Sequence, residues 1–452
     1  MNTSYHYRYK LIYKLGPVLC LLAAMLVLFS ACNNRLPDNT TIPTITTVPT
    51  TEPTTLPTTQ PTTAPTTEPI PYIVSSATVG VTGDILVHPA VYNSCLQSDG
   101  TYDFNEIFQY AAPYYKTYDY MVANLEVTFG GLGTYPYSGY PTFNCPDTMA
   151  DALKNAGIDM VLTANNHTYD TRYNGMIRTI EVLDKVGLEH IGTRTSVEQP
   201  NYIVKDINGI KVGMACYTYE TTKDFSDGRK SLNGLNMTVE ASQLVSSFRY
   251  WDLDDFYKNV AADLQGMKEN GAEFTMLYVH WGYEYRTSPN TDQKTIAQGL
   301  CDLGVDIIVG GHPHVIQPFE TLTSDSGHTT YCIYSTGNAI SNQRRELIGS
   351  APKGHTEDGI IFEVEFEFWS DGSYKIAEVG VIPTWVDRPW NDGDLYYAIY
   401  PIVPPVESWN SYRLDDHDQL RQSYMRTMAI VGDGLNACRE AMGLVLLPDS
   451  VD

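Results

Sequence analysis

Positive charge is scarce in this chain. Against 53 Asp and Glu there are only 29 Lys and Arg in 452 residues, a formal net charge of −24, and no dense Lys/Arg run occurs. A protein that grips nucleic acid displaces condensed counterions with basic patches, so nucleic acid is set aside as a partner. Paired cysteines are missing too. None of the eight cysteines has CxxC spacing, which removes a zinc ribbon. Cys216, Cys301 and Cys332 lie in apolar strand or helix contexts and read as buried thiols, whereas Cys95 and Cys145 are candidates for a loop disulfide. Long apolar runs are lacking as well: Leu15–Phe29 falls short of the roughly 20 residues of a membrane span.

What is present begins with a leader. Arg8, Lys10 and Lys14 precede the apolar run, and Ser30-Ala31-Cys32 follows it. This resembles a bacterial lipoprotein signal, with residues 1–31 as the signal peptide and Cys32 as the lipidated first residue of the mature chain. An uncleaved anchor is the alternative. Both expectations put the body outside the cytoplasm, held to the membrane of a bacterium. Residues 32–72 form a linker in which Pro49, Pro53, Pro57, Pro61, Pro65 and Pro69 recur every fourth residue, mostly with Thr-Thr pairs between. Such a segment has almost nothing to bury, so it is expected to stay disordered and extended. At about 3.1 Å per residue it reaches roughly 100 Å.

From residue 73 the patterns alternate. Ser76–Val87, Met160–Thr163, Lys211–Tyr217, Phe274–Val279 and Val305–Val309 read as strands. Asp147–Ala156, Tyr173–Val186, Asp254–Asn270 and Thr291–Leu303 read as helices, the second of them stopped by Gly187. Later segments, Tyr331–Tyr334, Gly359–Phe368 and Tyr374–Pro383, have a hairpin style with Asp371-Gly372 as a turn. The pattern predicts an α/β fold with a mixed sheet or two sheets and helices outside. Residues 73–390 are taken as the main domain, and 391–452 as a C-terminal extension with one helix, Asp418–Met442.

Five strand-like segments end in metal-donor chemistry. They run into Gly83-Asp84, Asn124-Leu125-Glu126, Ala164-Asn165-Asn166-His167, His280-Trp281-Gly282-Tyr283-Glu284 and Gly310-Gly311-His312-Pro313-His314. Groups at the carboxyl ends of strands face a common crevice in open α/β sheets, so the series predicts one rim of carboxylate, amide and imidazole donors. Alternation places Asn124 and Glu126 on the same face. The Asn166 carboxamide can ligate, His167 can give a proton to a leaving group, and Asp170 can fix the tautomer of His167. His312 and His314, one residue apart, can address neighbouring cations, and Glu284 adds an acid beyond His280. This donor mixture suits Mn²⁺, Fe²⁺ or Zn²⁺ better than Ca²⁺.

Together with Tyr334-Ser335-Thr336-Gly337-Asn338, these motifs resemble the signature set of the CapA family. Its members are capsule- or poly-γ-glutamate-synthesis proteins, relatives of the calcineurin-like metallophosphoesterases, and the likeness covers roughly Ala77 to Trp385. The resemblance implies a four-layer α/β/β/α sandwich. It implies Asp84 and His314 at a first metal, Glu126 bridging, Asn166, His280 and His312 at a second, and His167 as general acid. Catalytic candidates are thus His167, Asp170 and Glu284. Two positions depart from the phosphoesterase pattern. Leu86 stands where those enzymes have a histidine, with His88 farther along as a possible substitute, and the bridging residue is Glu rather than Asp. Implied partners are the membrane components of a polyglutamate or capsule synthase and the anionic polymer itself. Two further readings stay open: a stand-alone extracytoplasmic metal-dependent phosphoesterase, and a binding protein without turnover.

Overall fold

The computed structural model describes residues 70–451 apart from 134, 222–224, 392–393 and 415–416. The predicted signal peptide, the lipidation site Cys32 and nearly all of the linker lie outside the described residues.

Two sheets carry the body. The first contains β1 (Ile73–Ile85), β2 (Tyr120–Leu125), β3 (Met160–Leu162), β4 (Glu189–Ile191), β14 (Asn338–Ile340), β15 (Asp358–Trp369), β16 (Tyr374–Asp387) and β17 (Ala398–Pro401). Strands β1 to β4 run parallel, while β15, β16 and β17 add antiparallel neighbours beside β1. The second contains β5 (Tyr202–Ile207), β6 (Ile210–Tyr219), β9 (Ser247–Phe248), β10 (Phe274–His280), β11 (Ile307–Gly311), β12 (Ile316–Thr323) and β13 (Thr329–Thr336). Here β6, β10, β11 and β13 are parallel, with β5 and β12 as antiparallel edges.

The period-two pattern of the strands sets the layers. In the first sheet Val79, Val81, Tyr120 and Val122 point one way; in the second, Met214, Cys216, Met276 and Tyr278 meet them in a shared core. The opposite face of the first sheet, with Met121, Ala123 and Val161, packs on helices α1 (Thr148–Ala156) and α2 (Arg172–Val186) through Met149, Leu153 and Leu183. The outer face of the second sheet, with Ala215, Leu277 and Ile308, packs on α3 (Leu253–Glu269) and α4 (Thr291–Asp302) through Phe256, Val260, Ile296 and Leu300. The order is helix, sheet, sheet, helix, as the family resemblance implies.

Three features differ from the sequence reading. The stretch read as a C-terminal extension is part of this body: β17 pairs with β16, and α5 (Asp418–Ala441) sends Leu420, Tyr424, Met428, Val431 and Leu435 into the inter-sheet core. Cys95 and Cys145 are both buried free thiols rather than a disulfide. Edge strand β5 and the hairpin β7 (Ser231–Leu232) to β8 (Leu235–Asn236) were missed, although Asn208-Gly209 and Asn233-Gly234 carry the dipeptide that favours tight hairpin turns.

Helix α5 is fastened by a buried ion pair. The Arg426 guanidinium donates to both oxygens of Asp358 at 2.7 and 2.6 Å, and Ser423 donates to the same carboxylate at 2.7 Å. Replacing Arg426 with Met leaves the Asp358 charge buried beside one hydroxyl donor. Breaking one side of such a pair typically costs about 3 kcal/mol or more, so urea denaturation of that variant is expected to show a loss of this size.

Candidate metal centre

Every donor predicted on the rim sits at the end of a strand or in the loop that leaves it, and both sheets contribute. Asp84 lies near the end of β1, and Glu126 follows β2. Asn166 and His167 follow β3, His280 closes β10, and His312 and His314 follow β11. Local backbone chemistry explains the positions. Gly83 precedes Asp84 because a Cβ there would come within 2.0 Å of the Gly337 carbonyl oxygen, and Asp84 N–H donates to that oxygen at 3.0 Å. The His312-Pro313-His314 turn is held with φ of 96° and 55° at the two histidines, a region that side-chain-bearing residues rarely occupy. Strain of this kind persists only where surrounding contacts over-determine it, and it gathers at functional sites.

The side chains converge. Asn124 donates to Asp84 at 2.7 Å and to Glu126 at 3.2 Å, and its own oxygen accepts from Asn165 at 3.1 Å. Asp84 Oδ2 lies 3.0 Å from His314 Nδ1. Glu126 Oε1 lies 3.5 Å from His280 Nε2 and 3.7 Å from His314 Nε2. The Asn166 carboxamide oxygen is 2.9 Å from His280 Nε2. Two groups of possible metal ligands result, Asp84 with Glu126 and His314, and Glu126 with His280 and His312, each with its donor atoms within 4.8 Å of one another. Glu126 belongs to both.

The buried groups also shift one another's protonation. Burial alone would raise the Asp84 carboxyl, yet the His314 hydrogen bond and the nearby imidazoles hold it below its usual value. Burial alone would lower His314, but Glu126 and Asp84 outweigh it and lift the imidazole to about 9. His312 goes the other way: burial, reinforced by His280 and His314, keeps it well below the usual imidazole range. Among the buried side-chain atoms without a hydrogen-bond partner in the described residues are two members of the ligand groups, Glu126 Oε1 and His312 Nδ1. Native structures leave few such atoms. A carboxylate oxygen and an imidazole nitrogen left bare in one pocket form a pair that a divalent cation fits when the nitrogen presents its lone pair.

Beside this cluster lies the predicted dyad. His167 Nδ1 is 2.6 Å from Asp170 Oδ2, which also accepts the Phe143 N–H at 2.6 Å. The Phe143 ring meets His167 edge-on at 4.7 Å. Asn233, from the missed hairpin, donates to Asp170 Oδ1 at 3.0 Å and to the Pro141 carbonyl at 2.7 Å. Its Asn-Gly turn was visible in sequence, but nothing there tied it to a residue 63 positions earlier. Glu284 is exposed at the rim and belongs to neither ligand group. Leu86 points into the apolar layer with 1% exposure and offers no donor. His88 does not replace it among the grouped ligands; its Nδ1 lies 3.3 Å from the Asn342 amide N and from the Leu86 carbonyl, and burial drops the imidazole to about 4.

A cation that binds only the folded state at a hundredfold its Kd stabilises that state by about 2.7 kcal/mol. Mn²⁺ is therefore expected to raise the melting temperature of the protein. Glu126→Gln, which keeps the volume and withdraws the shared charge, should cancel most of the rise; an equal rise in the variant contradicts the shared-ligand geometry.

Comparison with known proteins places the chain in a family. The family described as bacterial capsule synthesis protein PGA_cap matches residues 78–343, a span that contains every donor named above. The capsule biosynthesis protein CapA of Bacillus anthracis is 25% identical over 270 residues, covering 59% of this chain and 60% of that protein. The PGA biosynthesis protein CapA of Bacillus subtilis (strain 168) is 26% identical over 242 residues, covering 53% and 57%. The chain thus spans less than two thirds of the length of these curated relatives. With the family match running across more than half of its residues, the chain belongs to the bacterial capsule synthesis protein family PGA_cap.

Proposed function

We propose that this protein is a cell-surface lipoprotein of capsule or poly-γ-glutamate biosynthesis that carries a metallophosphoesterase-like centre for two divalent cations. Family membership and the capsule and PGA roles named for the Bacillus relatives support the pathway. The leader ending at Cys32 supports the extracytoplasmic, lipid-anchored location. The observation that carries the chemistry is the bare Glu126 Oε1, placed between imidazoles of both ligand groups.

Asp84, Glu126 and His314 would hold one cation, and Glu126, Asn166, His280 and His312 the other, as Mn²⁺, Fe²⁺ or Zn²⁺. Bound metals supply an activated water and charge neutralisation at a phosphoryl or similar centre. The chain's own residues do the rest. Asn124 keeps the Asp84 and Glu126 carboxylates in register, and the Asp170 carboxylate, steadied by Phe143 and Asn233, orients His167. With Asp170 on Nδ1, His167 keeps Nε2 for passing a proton to a leaving group. The partners would be synthase components in the membrane and the anionic polymer. Since the chain is itself strongly acidic, attraction for a polyanion would rest on bound metals or on a local basic patch.

A second reading, a metal-binding protein without turnover, draws on Leu86, which leaves the first group short of the imidazole found in the hydrolytic relatives. Turnover separates the two. The purified protein with Mn²⁺ is expected to hydrolyse a generic phosphomonoester or phosphodiester slowly, and His312→Ala to remove that activity. Stoichiometric metal uptake without any hydrolysis favours the second reading, and undiminished hydrolysis in the variant refutes the site. Location is tested separately: Cys32→Ala should move the protein from the detergent phase to the aqueous phase of a detergent partition, and continued membrane retention would count against lipidation.

A further inference from the structure

Strand β6 ends beside the ligand-bearing end of β10, which has β11 on its other side, yet supplies no member of either donor group. Its residue Thr218 lies opposite His280, and the next residue, Tyr219, covers the histidines. The Tyr219 ring sits 4.9 Å from the His312 ring at a 57° tilt, and 6.4 Å from the His280 ring and parallel to it within 2°. Its Oη lies 3.2 Å from His312 Nε2. The other nitrogen of that imidazole, Nδ1, is the buried atom without a partner.

A neutral imidazole carries one N–H and one lone pair, and the partner of one nitrogen decides the state of the other. A phenol hydroxyl can donate or accept, so two arrangements have to be weighed. If Tyr219 donates into Nε2, then Nδ1 carries the proton: a buried N–H with no acceptor and no lone pair for a cation. If Nε2–H donates to Tyr219 Oη, then Nδ1 presents its lone pair, and a cation shared with Glu126 and His280 satisfies it. Only the second arrangement leaves the Nδ1 lone pair for a metal, and the Tyr219 O–H then sits on a side chain that is only partly buried. Second ring nitrogens of metal-bound histidines are ordinarily fixed by a hydrogen bond in this way.

We propose that Tyr219 is a positioning residue of the metal centre, its hydroxyl accepting the Nε2–H of His312 and so turning the Nδ1 lone pair of His312 toward the cation held with Glu126 and His280. This role rests on the metal-centre reading given above. Tyr219→Phe removes one oxygen and keeps the ring that packs on His312 and Tyr250, so the fold is expected to keep its metal-free melting temperature.

Calorimetric titration with Mn²⁺ should show affinity about 10- to 100-fold weaker in Tyr219→Phe than in the parent protein. In ¹⁵N NMR of the metal-free protein, His312 should be the Nε2–H tautomer, and the Phe variant should populate both tautomers. Unchanged Mn²⁺ affinity, or a parent protein already in the Nδ1–H tautomer, overturns the proposal. A parent protein that binds no divalent cation removes the metal centre itself and this role with it, whereas parent binding with an unaffected variant removes the Tyr219 role alone.

Discussion

Glu126 is the constraint around which the site is arranged. Its side chain is fully buried, one oxygen is covered by Asn124, and the other faces the imidazoles of His280 and His314 at 3.5 and 3.7 Å, too far for a hydrogen bond. Removing a carboxylate from water costs several kcal/mol unless charge or hydrogen bonds replace the lost hydration. Asp84, equally buried, has the raised imidazole of His314 against it. One imidazolium cannot neutralise two carboxylates, and His312 is held neutral by its own surroundings. The pocket thus gathers two buried carboxylates and three imidazoles in one small space, a donor set that a divalent cation fits.

That arrangement depends on two sheets staying in fixed relation. Asp84, Glu126, Asn166 and His167 come from the first sheet; His280, His312 and His314 come from the second. The distances of the centre are thus set by the core between the sheets, where Val79, Val81 and Val122 meet Met214, Met276 and Val309. Helix α5 closes that core, and the Arg426–Asp358 pair holds the helix in place. A close approach does the final alignment at the rim. The β1 backbone passes against Gly337 with no room for a side chain at Gly83, which brings Asp84 to its place beside His314. Packing remote from the metal donors is in this sense part of their geometry.

Much of this was readable from residues alone, because the informative signals are local. An apolar run followed by Asp84, or by Gly310-Gly311-His312, declares a strand and its functional end within a few positions, and helix α2 ends at Gly187, whose φ of 72° favours glycine. Contacts across long separations were not readable. Asn233 reaches Asp170, and Tyr219 reaches His312, 93 positions apart, through a sheet order that no short window records. The C-terminal segment was set apart because its helix pattern says nothing about where its apolar face lands. Edge strand β5 escaped because Tyr202, Ile203, Val204 and Lys205 are each only partly covered, leaving a weak alternation.

The two ligand groups are unequal, and the inequality bears on which metals they would select under the proposed function. The group built on Asp84, Glu126 and His314 has two carboxylates and one imidazole, and the side chain of Leu86 is turned away into the apolar layer. The other has two imidazoles and a carboxylate, with the Asn166 oxygen against His280. Oxygen-rich sets favour harder ions such as Mn²⁺, and imidazole-rich sets favour Zn²⁺ or Fe²⁺. Fewer donors also mean weaker retention. Under that proposal the imidazole-rich side would fill first and the Asp84 side would stay open to exchange. The longer Glu126 side chain suits that asymmetry, since its extra methylene lets one carboxylate lean toward the fuller group without giving up its contact with His314.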